Sequence, residues 1–269
     1  MRTLVLCAGV AGLALLGAGC QKLQSRDQLN RGVQAFRNAQ YQEAVERFKT
    51  AVQLDPTFSP ARLYLATAYM QQYIPGAESP ENQQMAQAAN DNFLKVLELD
   101  PKNTTAINSL ASLYLNEKKW DESQQWFDKL VALDPNNADA YYSMGFIAWS
   151  KWYPVYGMAR ADLGMKQDDP GPLKDKKVKE ELKAKWLPVI NSGQQALDKA
   201  LQINPEYEDA MAYKNLLTRE SADLLDSKDE YEKETKIADG WLQKALDTKK
   251  IKAERKEKKT GGGIVAETK

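Results

Sequence analysis

Histidine is missing altogether from these 269 residues. Its absence excludes imidazole acid/base catalysis, Ser-His and Cys-His nucleophiles, and His-ligated metals together. Cysteine is nearly missing: Cys7 and Cys20 both fall in the first twenty residues. The rest of the chain therefore has neither a disulfide framework nor a thiolate metal site. No charge of one sign dominates, with 37 basic and 37 acidic residues, so the basic field that nucleic-acid binding needs is lacking. Adjacent acids occur at Asp121-Glu122, Asp168-Asp169 and Glu180-Glu181. Neighbours on a helix point in different directions, and nothing marks a buried pair spaced for glycoside hydrolysis. Gly261-Gly-Gly263 has no Lys-Ser or Lys-Thr after it and no strand-to-helix context for a phosphate loop. Lys174-Asp-Lys-Lys177 reads as a solubilising face rather than a lipid-head site. The expectation is a chain with no enzyme activity, no cofactor, no metal and no nucleic-acid partner.

What is present is a segment that recurs four times: Phe48 to Pro56, Phe93 to Pro101, Phe127 to Pro135, and Leu197 to Pro205 with Leu in place of Phe. Apolar residues return at three- and four-residue steps, as in Phe93, Val96 and Leu97, which marks the last turns of an amphipathic helix. The Asp or Asn before each Pro is pushed out of the helical region, so the helix stops there. Gly32 precedes Pro56 by 24 residues and Ala111 precedes Pro135 by 24, while Pro101 and Pro135 are 34 apart. A small residue lies on the first helix, then an aromatic such as Tyr41 or Trp120 opens the second. Ala44 and Phe48, or Ser123 and Phe127, follow on its inner face.

This frame resembles the tetratricopeptide repeat, two antiparallel helices whose small residues let the backbones approach. The resemblance implies an all-α helical-hairpin solenoid of about five repeats over residues 25–248, three regular and two with long insertions. Ala66 to Pro101 exceeds the frame by 11 residues, at about 73–81, where Ser79-Pro80 is a helix start. Gly145 to Pro205 exceeds it by 36, at about 151–186. That insertion holds Trp152, Tyr153 and Tyr156, breaks at Asp168-Asp-Pro-Gly-Pro172, then shows Val178, Leu182 and Trp186 on one helix face. The fifth repeat is degraded, with Met211, Lys214-Asn215, Ala238, Leu242 and Ala245 in its places and about 11 extra residues near 220–230. Insertions at equivalent places should gather along one edge, the longest being ordered and folded back on Trp149. Residues 249–269, basic and then Gly-rich, are expected to be a disordered tail.

The resemblance also implies that first helices line a groove. Carried over residue by residue, its places are Leu29, Val33 and Phe36, then Leu63, Thr67 and Met70, then Asn108, Ser112 and Leu115, then Tyr142, Phe146 and Trp149. The Lys and Asn of a carboxylate clamp are absent apart from Asn108. Such an apolar groove should be filled, by a partner segment or by the chain's own insertion. Trp152, Tyr153, Tyr156 and Trp186 are expected at the insertion rim.

The first residues read as a leader: Met1-Arg2, an apolar run from Leu4 to Leu16 short of the ~20 residues of a bilayer span, and the flanks of a secretory signal. Gly17-Ala18-Gly19-Cys20 resembles a bacterial lipobox, with Leu16 one place early. The resemblance implies a signal peptide over 1–19, lipidation of Cys20, a polar linker over 20–24, and, with Gln21 rather than Asp, the outer rather than the inner membrane. The whole reads as a lipid-anchored scaffold on the periplasmic side of a bacterial envelope, binding other envelope proteins or their peptide segments. The alternative is a module that touches membrane or cell wall through the Trp/Tyr-rich insertion.

Overall fold

The computed structural model describes residues 3–166 and 168–261, with side chains over 19–166 and 168–258. The described residues form ten helices in paired hairpins and fall into two compact units, divided after Leu133. In the first unit α1 (Thr3–Arg37) pairs with α2 (Tyr41–Leu54), α3 (Ser59–Gln72) with α4 (Pro80–Leu99), and α5 (Thr104–Asn116) with α6 (Trp120–Leu133). In the second unit α7 (Ala138–Asp162) pairs with α8 (Lys176–Ile203), and α9 (Glu208–Ala222) with α10 (Lys228–Gly261).

The helix ends follow the Pro positions. Asp55, Asp100 and Asn204, each just before a closing Pro, are extended, with φ of -142°, -141° and -125°. The same turn starts the next helix. Asn103 accepts from Ala106 N–H at 3.0 Å and Asn137 from Ala140 N–H at 3.0 Å, a side-chain cap worth about 1 kcal/mol. Asp100 and Asp134 in turn accept from the side-chain amides of Asn103 and Asn137, each at 3.1 Å.

Within each hairpin the backbones approach at the small residues. A Cβ on Gly32 would lie 2.4 Å from the Phe48 ring, and one on Gly145 would lie 2.4 Å from Leu197 Cγ. Phe48, Phe93, Phe127 and Leu197, each eight residues before a closing Pro, are buried. Where a polar residue takes a small place, it bonds the facing helix. Ser123 Oγ donates to Ala111 O at 2.8 Å, and Asn215 Nδ2 donates to Ala238 O at 2.7 Å. These are buried groups with their hydrogen bonds made.

The extra residues take different forms. At 73–79 a loop precedes α4, which begins at Pro80 and has 20 residues against 14 in α2 and α6. Ser79 Oγ caps it through Asn82 N–H at 3.2 Å. Asn82 ties the loop from within, donating to Ile74 O and Ala77 O at 2.8 Å and accepting from Ile74 N–H at 2.7 Å. The residues around 151–186 instead lengthen both partners of one hairpin: α7 reaches 25 residues and α8 reaches 28. The Val178, Leu182 and Trp186 stripe lies in this extension, and Trp186 packs on Trp152 with ring centroids 6.1 Å apart.

Two expectations change. Residues 20–24 are not an irregular linker but belong to α1, where the next residue, Ser25, is buried and donates to Ala51 O at 2.8 Å. The basic stretch from Lys249 is not unstructured: α10 continues through it to Gly261, where Lys252 pairs with Glu208 at the start of α9 and Arg255 with Glu206 in the turn before it. The remainder of the expected tail, 262–269, lies outside the described residues, as do the side chains of the leader.

Close approach at Gly145 gives a direct check. Gly145→Ala should destabilise the protein by ~1–3 kcal/mol through overpacking. Adding Leu197→Ala should give a double variant less destabilised than the sum of the two singles, because the second change makes room for the first. Chemical denaturation of the four proteins measures the coupling, and strict additivity would refute the crossing geometry.

Candidate functional site

In the second unit the first helices α7 and α9 build a cluster of aromatic rings. Tyr142, Phe146 and Trp149 stand at four- and three-residue steps on α7, so they share a face. Tyr213 of α9 sits among them, its ring centroid 5.7, 5.2 and 5.2 Å from theirs in that order. Tyr207, at the N-terminal boundary of α9, meets Tyr142 at 5.0 Å, and Tyr153 stacks on Trp149 at 4.9 Å. Edge-on and stacked contacts of this kind contribute roughly 0.5–1.5 kcal/mol each beyond area burial. The rings are therefore held in place before any ligand arrives. Burial pushes the Tyr142 hydroxyl up to about 12, so it stays protonated and can donate.

Behind this face lies a carboxylate. Trp149 Nε1 donates to Glu220 Oε1 at 3.0 Å, while Glu220 Oε2 is buried with no hydrogen-bond partner. Burial pushes the Glu220 carboxyl up to about 7, the bond from Trp149 holds it back, and the charge on Asp223 adds to the rise. Asp223 is itself buried against Arg160. The Arg160 guanidinium also donates to Lys166 O and Asp169 O, each at 2.6 Å. This network closes the tip of the α7–α8 hairpin against the α9–α10 turn. Leu173 N–H donates to Asp223 O at 2.9 Å, and Lys179 Nζ donates to Leu225 O at 2.8 Å.

The first unit presents a less aromatic face. Val33 and Phe36 of α1 are half-buried against the α1–α3 core. Leu63 and Met70 of α3 are half-buried against the α3–α5 core. Thr67, Ser112 and Leu115 are half-exposed, and Asn108 is exposed. Leu29 is a correction: only 9% exposed, it is a core residue beneath α2 and α3 rather than part of a groove. Trp152 is another: it is fully buried and cannot form a rim. Trp152 faces Tyr156 and Trp186 because the lengthened hairpin needs its own core, while Tyr153 stays 40% exposed.

Tyr207, Tyr213 and Glu220 are the residues that sequence spacing does not find. Counting from Pro205 as from Pro135 puts the face-lining places at Ala212, Leu216 and Arg219 and steps past Tyr213. The available signal is Asn215 in the place of a small residue, which shows that the α9 crossing is built differently. Among the described residues no group of three His, Cys, Asp or Glu could hold a metal ion. The arrangement offers apolar surface and protonated hydroxyls, which suits binding.

Residues 35–72 and 82–145 match the family model of the tetratricopeptide repeat, and the break between them covers the 73–79 loop and the first two residues of α4. This is a tetratricopeptide-repeat fold. Solved structures agree with it. A crystal structure of MamA covers 83% of this chain and 96% of its own, with 16% identity and a TM-score of 0.57. MamA from Desulfovibrio magneticus RS-1, residues 41 to the end, gives 16% identity, 85% and 96% coverage and a TM-score of 0.56. YrrB, described as a TPR protein with an unusual peptide-binding site, gives 14% identity, 82% and 84% coverage and a TM-score of 0.53. No curated protein matches the sequence. The tetratricopeptide model stops where the α7–α8 hairpin lengthens, which is where the spacing leaves the 34-residue frame.

Glu220 gives the site a pH signature. A carboxyl raised on folding binds its proton more tightly in the folded state. Its contribution is thus most favourable below the ordinary Glu pKa of 4.5 and declines as pH rises toward about 7. Glu220→Gln should flatten the fall in stability between pH 5 and 7.5 by an amount on the order of 2 kcal/mol. Thermal midpoints of the two proteins across that range measure it, and parallel profiles would refute the assignment.

Proposed function

We propose that this chain is a non-enzymatic protein–protein interaction scaffold held at a bacterial envelope by a lipid on Cys20. Its ligands are segments of other envelope proteins, taken on the first-helix face of α7 and α9. The observation that carries the reading is the convergence of Tyr142, Phe146, Trp149, Tyr153, Tyr207 and Tyr213 around that face. Rigid aromatic surface with hydroxyl donors at its edge is the composition that dominates protein recognition sites.

Attachment at Cys20 fits the surrounding chain. Cys20 is exposed and lies in the helix that runs into the first hairpin. The five residues to Ser25 rise only about 7.5 Å in a helix, so the body would sit close to the bilayer on the periplasmic side, at the outer membrane by the Gln21 criterion. Three acyl chains give stable attachment where one is marginal. Direct membrane contact through the long insertion is less favoured, since Trp152 and Trp186 pack on each other.

Two experiments bear on the two halves. Cys20→Ala should move the protein from the membrane to the soluble periplasmic fraction, and a variant still sedimenting with membranes in high salt would refute the anchor. Chemical crosslinking followed by affinity capture from native envelopes should recover partners with the wild-type chain and lose them with Phe146→Glu at unchanged far-UV circular dichroism. Unchanged recovery would refute the α7–α9 face as the site.

A further inference from the structure

Two apolar clefts of nearly equal size lie outside the α7–α9 face, one in each unit. In the first unit a cleft of about 440 Å³ opens between the end of α4, the start of α5 and α6. In the second a cleft of about 430 Å³ opens between the end of α8, the start of α9 and α10. The walls are Leu97, Pro101 and Ile107 in one, and Leu201, Pro205 and Met211 in the other. These six occupy corresponding places, four before, at and six after a closing Pro. The floor is Trp126 in one and Trp241 in the other, each three residues after the small residue of its second helix, Ser123 or Ala238.

Over each indole lies a lysine three residues further on. Lys129 Nζ is 3.7 Å from the Trp126 ring centroid, and Lys244 Nζ is 4.4 Å from that of Trp241. The other three repeats lack the pair: Arg47, Asn92 and Ala196 stand at the Trp place. Their residues at the Lys place are otherwise engaged, Lys95 with Glu98 at 2.8 Å and Lys199 with Gln202 at 3.1 Å. Thr50 stands at that place in the first repeat. Lys129 and Lys244 have no carboxylate partner among the described residues. Lys129 is also the sole charge lining its cleft. In the second cleft Asp247 shares the lining and accepts from Gln243 at 2.9 Å.

An apolar slot with an unneutralised ammonium at its lip has a specific complement. We propose that each cleft docks an acidic peptide segment, with a bulky apolar side chain in the slot against Trp126 or Trp241 and a neighbouring carboxylate on Lys129 or Lys244. The indole orients the ammonium and lowers its hydration, so it meets a carboxylate already desolvated on one side. The α4–α6 cleft, with no acid in its lining, is the stronger of the two. The surface is separate from the α7–α9 face and does not depend on it.

The probe is a blocked eight-residue peptide of leucine, phenylalanine and glutamate, titrated into the full chain by calorimetry at low salt. The same peptide with lysine for glutamate is the control. The acidic peptide should bind and the basic one should not. Lys129→Glu combined with Lys244→Glu should weaken the acidic peptide at least tenfold and admit the basic one, with the thermal midpoint unchanged because both side chains are exposed. Phe146→Glu should leave this binding intact, which separates it from the α7–α9 face. Absence of binding to the acidic peptide, equal binding of both peptides, or indifference to the charge reversal would overturn the proposal. So would displacement of the peptide by anionic phospholipid vesicles, which would make the clefts a membrane face. Loss of self-association in the charge-reversed variant, seen by sedimentation, would make them a contact with a second copy.

Discussion

The structure depends on how closely two helices of a hairpin can approach. At Gly32 and Gly145 there is no room for a single methyl group, and the large residue that occupies the space, Phe48 or Leu197, lies on the partner helix eight residues before a Pro. The Pro thus sets more than a helix end. It fixes the register in which the large residue arrives under the small one, and the next helix starts from the same turn. Where a polar residue stands at the crossing, as at Asn215 and Ser123, it adds a hydrogen bond to the facing carbonyl.

Much of this was legible in the residue order, because closing prolines, helix caps and crossing residues are local signals at fixed spacing. Ser79-Pro80 opens α4, and the rows of apolar residues lie inside. The places that spacing missed are those where tertiary context decides. Trp152 and Trp149 are three residues apart on one helix and look alike in sequence. One is buried by the lengthened hairpin and the other stacks on the α9 side of the unit. Tyr213 falls one place beyond the expected frame and still fills the face, because α9 crosses with Asn215 instead of Gly or Ala. Glu220 has no sequence signature, since its raised pKa comes from burial behind an indole that only the fold brings there. Leu29 departs from its groove place because, three residues before the crossing Gly32, it is drawn into the core that α1 shares with α2 and α3.

The molecule separates the residues that hold it together from those that remain available. The buried Phe and Leu of the crossings are shared by the first four hairpins and say nothing about a ligand. What distinguishes one repeat from another is carried on the half-exposed flanks: tyrosines on α7 and α9, tryptophan with lysine on α6 and α10. A repeat can therefore change its recognition surface without disturbing its crossing, which is how a single frame comes to present chemically unlike surfaces.

The network around Arg160 has a further effect on the fifth hairpin. A repeat in an array is ordinarily held only by the neighbours it stacks on. Here the α9–α10 turn is also gripped laterally. The lengthened α7–α8 hairpin reaches it with Arg160 on Asp223, Leu173 on the Asp223 carbonyl and Lys179 on the Leu225 carbonyl. Opening the fifth hairpin would carry Asp223 away and leave the buried Arg160 guanidinium without its charge partner, a loss of the kind that costs roughly 3–5 kcal/mol. The degraded repeat, without a closing Pro, is thereby made to open only together with the fourth, so the two hairpins behave as one cooperative block rather than as two links of a chain.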